Sequence, residues 1–334
     1  MLRMILALIL SAAIVLLTGP KLIAWLRKLK LGQTMYELGP QSHLKKQGTP
    51  IMGGLCIALG CVVAFIVAGV SLGAWDHMLA LLFVALGSMA VGFADDWIKM
   101  VKKNHEGLKP MQKIIGQAAV CLGFALYCYF HPEVGSKIII PFFNVEWDLG
   151  IFYIPLLALT VLFMVNSANL QDGLDGILSS VTAVGSIGWA AIALIASATA
   201  LAAENTTIAV FALALCGSCI GFLRFNHYPA TVFMGDTGSM FIGGAVVGMA
   251  MLLRQPFLLL LIAFTCVMSS VSVILQRYYF KLTRKLTGTP KRLFKMSPIH
   301  HHFEMCGMKE TQIVLMYAIV TLVLSAIAVV SVII

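Results

Sequence analysis

Asp95 and Asp96 stand side by side in Val-Gly-Phe-Ala-Asp-Asp-Trp-Ile-Lys, where an apolar run ends. A carboxylate near hydrocarbon is costly, by roughly 2.5–3.5 kcal/mol at mid-membrane, and two neighbours repel unless a cation holds them. Lys99 lies four residues beyond Asp95 and three beyond Asp96, so a helix brings it within reach of either. Two readings stay open: an ion-paired helix end, or a site that takes a divalent metal or a phosphate.

Asn169-Leu-Gln-Asp172-Gly173-Leu-Asp175-Gly176 follows a second apolar run and contains no basic residue. On a helix Asp172 and Asp175 would share one face, while the glycines would let a ligand approach the backbone. A plain turn more often uses a single Asp-Gly; two so close together point to ligand binding. Asp236, in Phe233-Met-Gly-Asp-Thr-Gly-Ser, stands just before a third apolar run. It could cap that helix, with Thr237 as the rival cap, or it could ligate a metal beside the other acidic clusters. Hard oxygen ligands without cysteine partners suit Mg²⁺ rather than zinc.

The fourth candidate is Ser297-Pro-Ile-His300-His301-His302-Phe-Glu304. Three consecutive histidines cannot all face one way on a helix, which predicts a loop. Phosphate or sugar contacts, a solvated run and zinc binding are its competing roles. Lys45, Lys46, Lys103, Lys109 and Lys113 add positive charge, and His43 stands beside the first two. For each lysine taken singly, an orientation signal or attraction to anionic lipid is the simpler reading. Carboxylates, Mg²⁺, lysines and histidines together suit phosphoryl transfer, which needs positioning and charge neutralisation. No Walker A loop occurs, so the chain does not read as an NTPase.

The elements that must position these groups are membrane spans. Of 334 residues 60% are apolar and 11% charged, against about 45–50% and about 25% in soluble domains. That balance excludes a soluble enzyme, a disordered chain and a nucleic-acid-binding module, despite the net charge of +9. A hydrocarbon core of ~30 Å needs roughly 20 apolar residues per helix, and no alternating segments of a β-barrel are present. The reading is all-α and integral to the membrane, one polytopic domain over 1–334 with ten transmembrane helices. The spans fall near 3–26, 51–71, 77–97, 113–130, 150–168, 177–200, 207–223, 238–254, 256–279 and 311–333. Met1 to Trp25 is too long for a signal-peptide core and is counted as the first span. Segment 137–149 carries β-branched residues in partial alternation and predicts a short hairpin. Seven cysteines lie within apolar runs and read as packing.

The odd-numbered loops and their flanks carry 19 of the 23 Lys and Arg residues. By the positive-inside rule those loops are cytoplasmic and both termini lie outside. Every acidic motif and the histidine run fall at odd loops, so residues distant in sequence are expected at one membrane face.

With these motifs the chain resembles the polyprenyl-phosphate N-acetylhexosamine-1-phosphate transferase superfamily, in the branch that uses a muramoyl donor. The matching segments are 42–54, 95–99, 169–176, 233–239 and 297–304, in family order and spread over nearly the whole chain. The resemblance implies ten helices, often in a homodimer, in the bacterial cell membrane, with periplasmic termini and a cytoplasmic active site. It implies transfer of phospho-MurNAc-pentapeptide from UDP-MurNAc-pentapeptide to undecaprenyl phosphate, with Mg²⁺ as cofactor, giving lipid I and UMP for peptidoglycan. Asp236 would be the metal ligand, and Asp95 and Asp96 would handle acceptor or metal. Lys99, His300 and His301 would join them as catalytic residues, with the histidine segment closing over the donor. Asn169, Asp172, Gly173 and Asp175 would form the donor pocket, with Phe233 stacking on uracil. His43, Lys46, Lys113, Asn226 and His302 would complete substrate binding. Ile51 departs from the family pattern, where Thr is expected, so no hydroxyl contact is carried over there. A sister enzyme using UDP-GlcNAc and an ion-coupled transporter are the alternatives. The 42–54 segment and the histidines disfavour the first. A transporter would show broken helices and inverted repeats, and neither is expected here.

Overall fold

The computed structural model describes residues 1–29, 46, 48–102, 107–198 and 201–334. His43, Lys45 and Lys103 lie outside the described residues.

The chain is helical, as its apolar runs require. Its elements are α1 (Leu2–Lys28), α2 (Gly54–Gly69), α3 (Trp75–Lys102), α4 (Pro110–Phe130), α5 (Tyr153–Gln171), α6 (Ile177–Ser197) and α7 (Ala202–Asn226). After them come α8 (Gly235–Leu252), the short α9 (Leu259–Ile262), α10 (Phe264–Thr287), α11 (Ile299–Met305) and α12 (Glu310–Ile333). Among the described residues nine helices are long and apolar enough to cross a membrane, ten if one bent pair counts as a single span. The expected hairpin forms from β1 (Lys137–Ile140) and β2 (Val145–Asp148), antiparallel, with Lys137 opposite Asp148.

The bent pair corrects the ninth span. Residues 256–279 do not form one straight helix: Pro256–Ile262 and Phe264–Thr287 meet at 87°. Hydropathy alone hides this, because the apolar content is continuous across the break at Ala263. The polar residues beyond it explain the new direction. Thr265, Ser269, Ser270 and Ser272 are buried, and Ser270 and Thr265 meet Ser167 and Gln171 of α5 at 2.7 and 3.1 Å. Hydroxyls that need partners in an apolar bundle turn that stretch inward, so a broken helix is present after all.

At the centre stands α8, packed against α3 and α5 and mostly buried along with α6 and α7. Its sequence, Gly-Asp-Thr-Gly-Ser-Met-Phe-Ile-Gly-Gly, explains its place. A Cβ on Gly244 would lie 2.6 Å from the Val84 carbonyl oxygen, and one on Gly238 would overlap Gly54 of α2. Small residues let helices approach where lipid supplies no hydrophobic drive between them. That contact sets the first turn of α8 against α2 and α3, and the functional groups gather there.

Candidate active site

The end of α3, the first turn of α4, the end of α5 and the first turn of α8 meet at one end of the bundle. Asp236, in the first turn of α8, is their hub. Its Oδ1 accepts the Asn169 amide at 2.7 Å, and its Oδ2 takes Lys113 Nζ at 2.8 Å and Lys99 Nζ at 3.2 Å. Lys99 also reaches Asp95 at 2.5 Å and Asp96 at 4.0 Å, the pairing expected from their spacing. Asp95 further accepts the Leu108 backbone N–H at 2.8 Å.

Asp96 has a different task from its neighbour. It is buried, and it accepts the N–H and hydroxyl of Thr237 at 2.9 and 2.7 Å and the Asp236 N–H at 3.3 Å. The first turn of α8 is therefore capped by a carboxylate from α3. Of the readings left open for Asp236, capping of its own helix, with Thr237 as the rival, is thereby set aside. The orphan N–H groups of a helix start donate to any acceptor of suitable geometry, and Gly235, at φ +75°, turns them toward Asp96.

One oxygen from each of Asp95, Asp96 and Asp236 lies within 4.8 Å of the others, close enough to share a cation. The donor set is oxygen only, as a hard divalent ion prefers. Two ammonium groups, Lys99 and Lys113, offset part of its charge.

The second motif departs from its expected geometry. Helix α5 stops at Gln171, and Gly176 takes φ +77°, so Asp172 and Asp175 lie in a turn rather than on one helical face. They diverge in consequence. Asp175 accepts Lys46 Nζ at 2.7 Å and the Ala230 N–H at 2.9 Å. Asp172 is held up to about 8 by burial first, then by the negative charges of Asp236, Asp96 and Asp175. A raised carboxyl pKa keeps a proton in the folded state that the unfolded chain has lost, so stability falls as pH rises between about 4 and 8. In chelator-treated protein the wild-type melting temperature should therefore drop across that window more steeply than that of Asp172→Asn. Parallel curves would remove Asp172 from the buried acidic group.

Lys46 pairs at 2.7 Å with Glu310 as well as with Asp175. Burial opposes its charge, yet the hydrogen bonds and charges of both partners hold its pKa above the ordinary lysine value. Glu310 was not foreseen. It opens α12, where an acidic residue reads as a complement to the helix dipole, and only the fold brings it to Lys46. Asn226 is buried and bridges the Gly176 N–H and the Val232 carbonyl at 3.1 and 3.0 Å, tying two site loops together. Phe233 keeps its ring partly exposed while its N–H bonds Pro50 at 2.8 Å.

The histidine run is helical, which corrects the predicted loop. Pro298 takes an extended conformation after a run of bends, and α11 begins at the next residue. The three imidazoles accordingly point to different surroundings. His300 is buried, with its ring 4.3 Å from that of His301. A Cβ on Gly173 would overlap His300 and lie 2.9 Å from His301 Nε2, so Gly173 is small because the histidines press on it. His301 meets Glu304 at 3.2 Å, and His302 accepts the Lys295 N–H at 3.1 Å. Thus His300 and His301 adjoin the Asp172 turn, and His302 faces the polar segment beyond α10.

Comparison with known proteins covers the same stretch of chain. The family described as glycosyl transferase family 4 matches residues 78–254, which include all three clustered carboxylates and both lysines. A phospho-N-acetylmuramoyl-pentapeptide-transferase of Clostridioides difficile (strain 630) is 43% identical over 320 residues, 96% of this chain and 94% of its own. Those of Thermoanaerobacter sp. (strain X514) and Heliobacterium modesticaldum are 42% and 43% identical, over 96% and 93% of this chain and 96% and 92% of theirs. With likeness at this level along nearly the full length, the chain belongs to the phospho-N-acetylmuramoyl-pentapeptide-transferase family, within glycosyl transferase family 4.

Proposed function

We propose that the protein transfers phospho-MurNAc-pentapeptide from UDP-MurNAc-pentapeptide to undecaprenyl phosphate, giving lipid I and UMP. The observation that carries this reading is the meeting of Asp95, Asp96 and Asp236 with Lys99 and Lys113 at one end of an apolar bundle. A soluble diphosphate donor can reach such a site from water, and a lipid acceptor can reach it sideways through the bilayer. The excess of Lys and Arg in alternate loops supports a cytoplasmic position for this end and an outside position for both termini. On this reading the enzyme sits in the bacterial cell membrane, and the family resemblance is what implies a homodimer.

Asp236 would hold Mg²⁺, with Asp95 and Asp96 close enough to share it. The ion would supply charge neutralisation on the diphosphate and on the departing UMP. The chain's own groups do the rest. Lys99 and Lys113 attract and orient the donor diphosphate, and Asn169 fixes the Asp236 carboxylate. Asp95, held by Lys99 and the Leu108 N–H, orients the acceptor. A phosphate monoester has its second pKa near ~6 and is largely dianionic at pH 7, so positioning matters more than a general base. An acceptor oxygen attacks the β-phosphorus, the bond from that phosphorus to the bridging oxygen breaks, and UMP leaves with the electron pair. Phe233 stacks on uracil, and α11 covers the donor.

The test is UMP release by detergent-solubilised protein with Mg²⁺ and undecaprenyl phosphate, offering UDP-MurNAc-pentapeptide or UDP-GlcNAc separately. Release with the muramoyl donor alone, lost on adding EDTA, is expected. Release only with UDP-GlcNAc would assign the chain to another donor. A burst of UMP equal to the enzyme concentration without any acceptor would replace direct attack with a two-step route.

A further inference from the structure

A second group of metal-binding side chains lies at the other end of α3. Asp76 and His77 open that helix, and His131 and Glu133 follow the end of its neighbour α4. At 1.5 Å per residue they are roughly 30 Å along α3 from Asp95 and Asp96. Each offers one ligand atom, and all four atoms lie within 4.8 Å of one another. His131 Nε2 is 2.9 Å from Asp76 Oδ2, and His77 Nδ1 is 3.5 Å from Asp76 Oδ1. Two ligands bound at about 2.0–2.1 Å in a tetrahedral zinc site stand about 3.3 Å apart, so these spacings already approach a coordination shell.

The polar inventory shows what is missing from an ordinary ion pair. The His77 side chain is 2% exposed, and beyond its 3.5 Å approach to Asp76 its Nδ1 makes no hydrogen bond among the described residues; neither does the buried Glu133 Oε2. A buried polar group left without a partner destabilises the fold. Both atoms belong to the one cluster where a shared cation would satisfy them together. Asp76, 48% exposed, leaves a way in from water. His131 Nδ1 accepts the Glu133 N–H at 3.3 Å, a long contact given up when the ring turns its lone pair at Nε2 to a metal and carries its proton on Nδ1.

We propose that Asp76, His77, His131 and Glu133 bind one divalent transition-metal ion of the zinc class, which clips the start of α3 to the end of α4. Two imidazoles with two carboxylates suit zinc, whereas the all-oxygen cluster at the opposite end suits a harder ion. The two sites are thus chemically as well as spatially distinct.

The test titrates Zn²⁺ into the purified full-length protein after removal of metal by a chelator, following heat and the melting temperature. One tightly bound Zn²⁺ per chain and a rise in melting temperature are expected. Both should be lost in His131→Ala and weakened in Glu133→Gln, which keeps the side-chain shape and guards against misfolding. Both should survive in His302→Gln and in Asp236→Asn, which separates this site from the histidine run and from the acidic cluster. Absence of tight zinc in the wild-type protein, or zinc binding unchanged in both cluster variants, overturns the proposal.

Discussion

Asp236→Asn is expected to lower UMP release by roughly 10²–10³-fold or more while the protein remains folded and extractable. The substitution keeps the shape of the side chain, so Asn169 can still find an oxygen at 2.7 Å. It removes the negative charge shared by Lys99 and Lys113 and the carboxylate that three helices converge upon. Lys99 keeps Asp95 at 2.5 Å, so the bundle loses little stability, and a shift of a few degrees in melting temperature is the expected limit. Asp236→Ala should lose activity to at least the same degree. Activity in either variant within a few-fold of wild type would remove Asp236 from the reaction, and collapse of the fold would make its role structural. Steady-state UMP release and a thermal melt on the same preparation separate these outcomes.

The convergence on Asp236 was legible in the sequence because membrane spans convert sequence into sidedness. Once the apolar runs are counted, alternate loops share a face, and Asp95, Asp236 and the Asn169 segment must come to one end. Lys99 was legible for a local reason, since three and four residues are one helical turn. What escaped depended on the turns and on partners far along the chain. Asp172 and Asp175 look like one helical face, but the helix ends at Gln171 and the chain turns through the left-handed Gly176 into the next one. Glu310 lies 264 residues from Lys46, and nothing in its neighbourhood announces the pair. The break at Ala263 is invisible to hydropathy because it interrupts direction, not composition. The Asp76 cluster escaped for the opposite reason. Its residues sit at ends of spans, where polar side chains are expected anyway, and only their proximity across two helices gives them meaning.

The same distinction separates two adjacent carboxylates that the sequence treats as equivalent. Asp96→Ala should cost both stability and activity, whereas Asp236→Asn costs activity with little loss of stability. Removing Asp96 leaves the N–H groups of Asp236 and Thr237 and the Thr237 hydroxyl without their acceptor in a buried place. At about 1–3 kcal/mol for each unsatisfied group, the loss is a large share of the total stability of a folded domain. Thr237→Val isolates the positioning effect. It deletes only the 2.7 Å hydroxyl contact and leaves the N–H bond, so about 1 kcal/mol of stability should go. If Asp96 acts by setting the first turn of α8, that valine variant should lower kcat several-fold with KM nearly unchanged, because the donor still meets Lys99 and Lys113 while Asp236 is misplaced. If Asp96 instead contacts the reacting groups directly, Thr237→Val should behave as wild type while Asp96→Asn, which keeps an acceptor for the helix, still abolishes turnover. The pair of variants therefore tells a carboxylate that holds the helix from one that touches substrate.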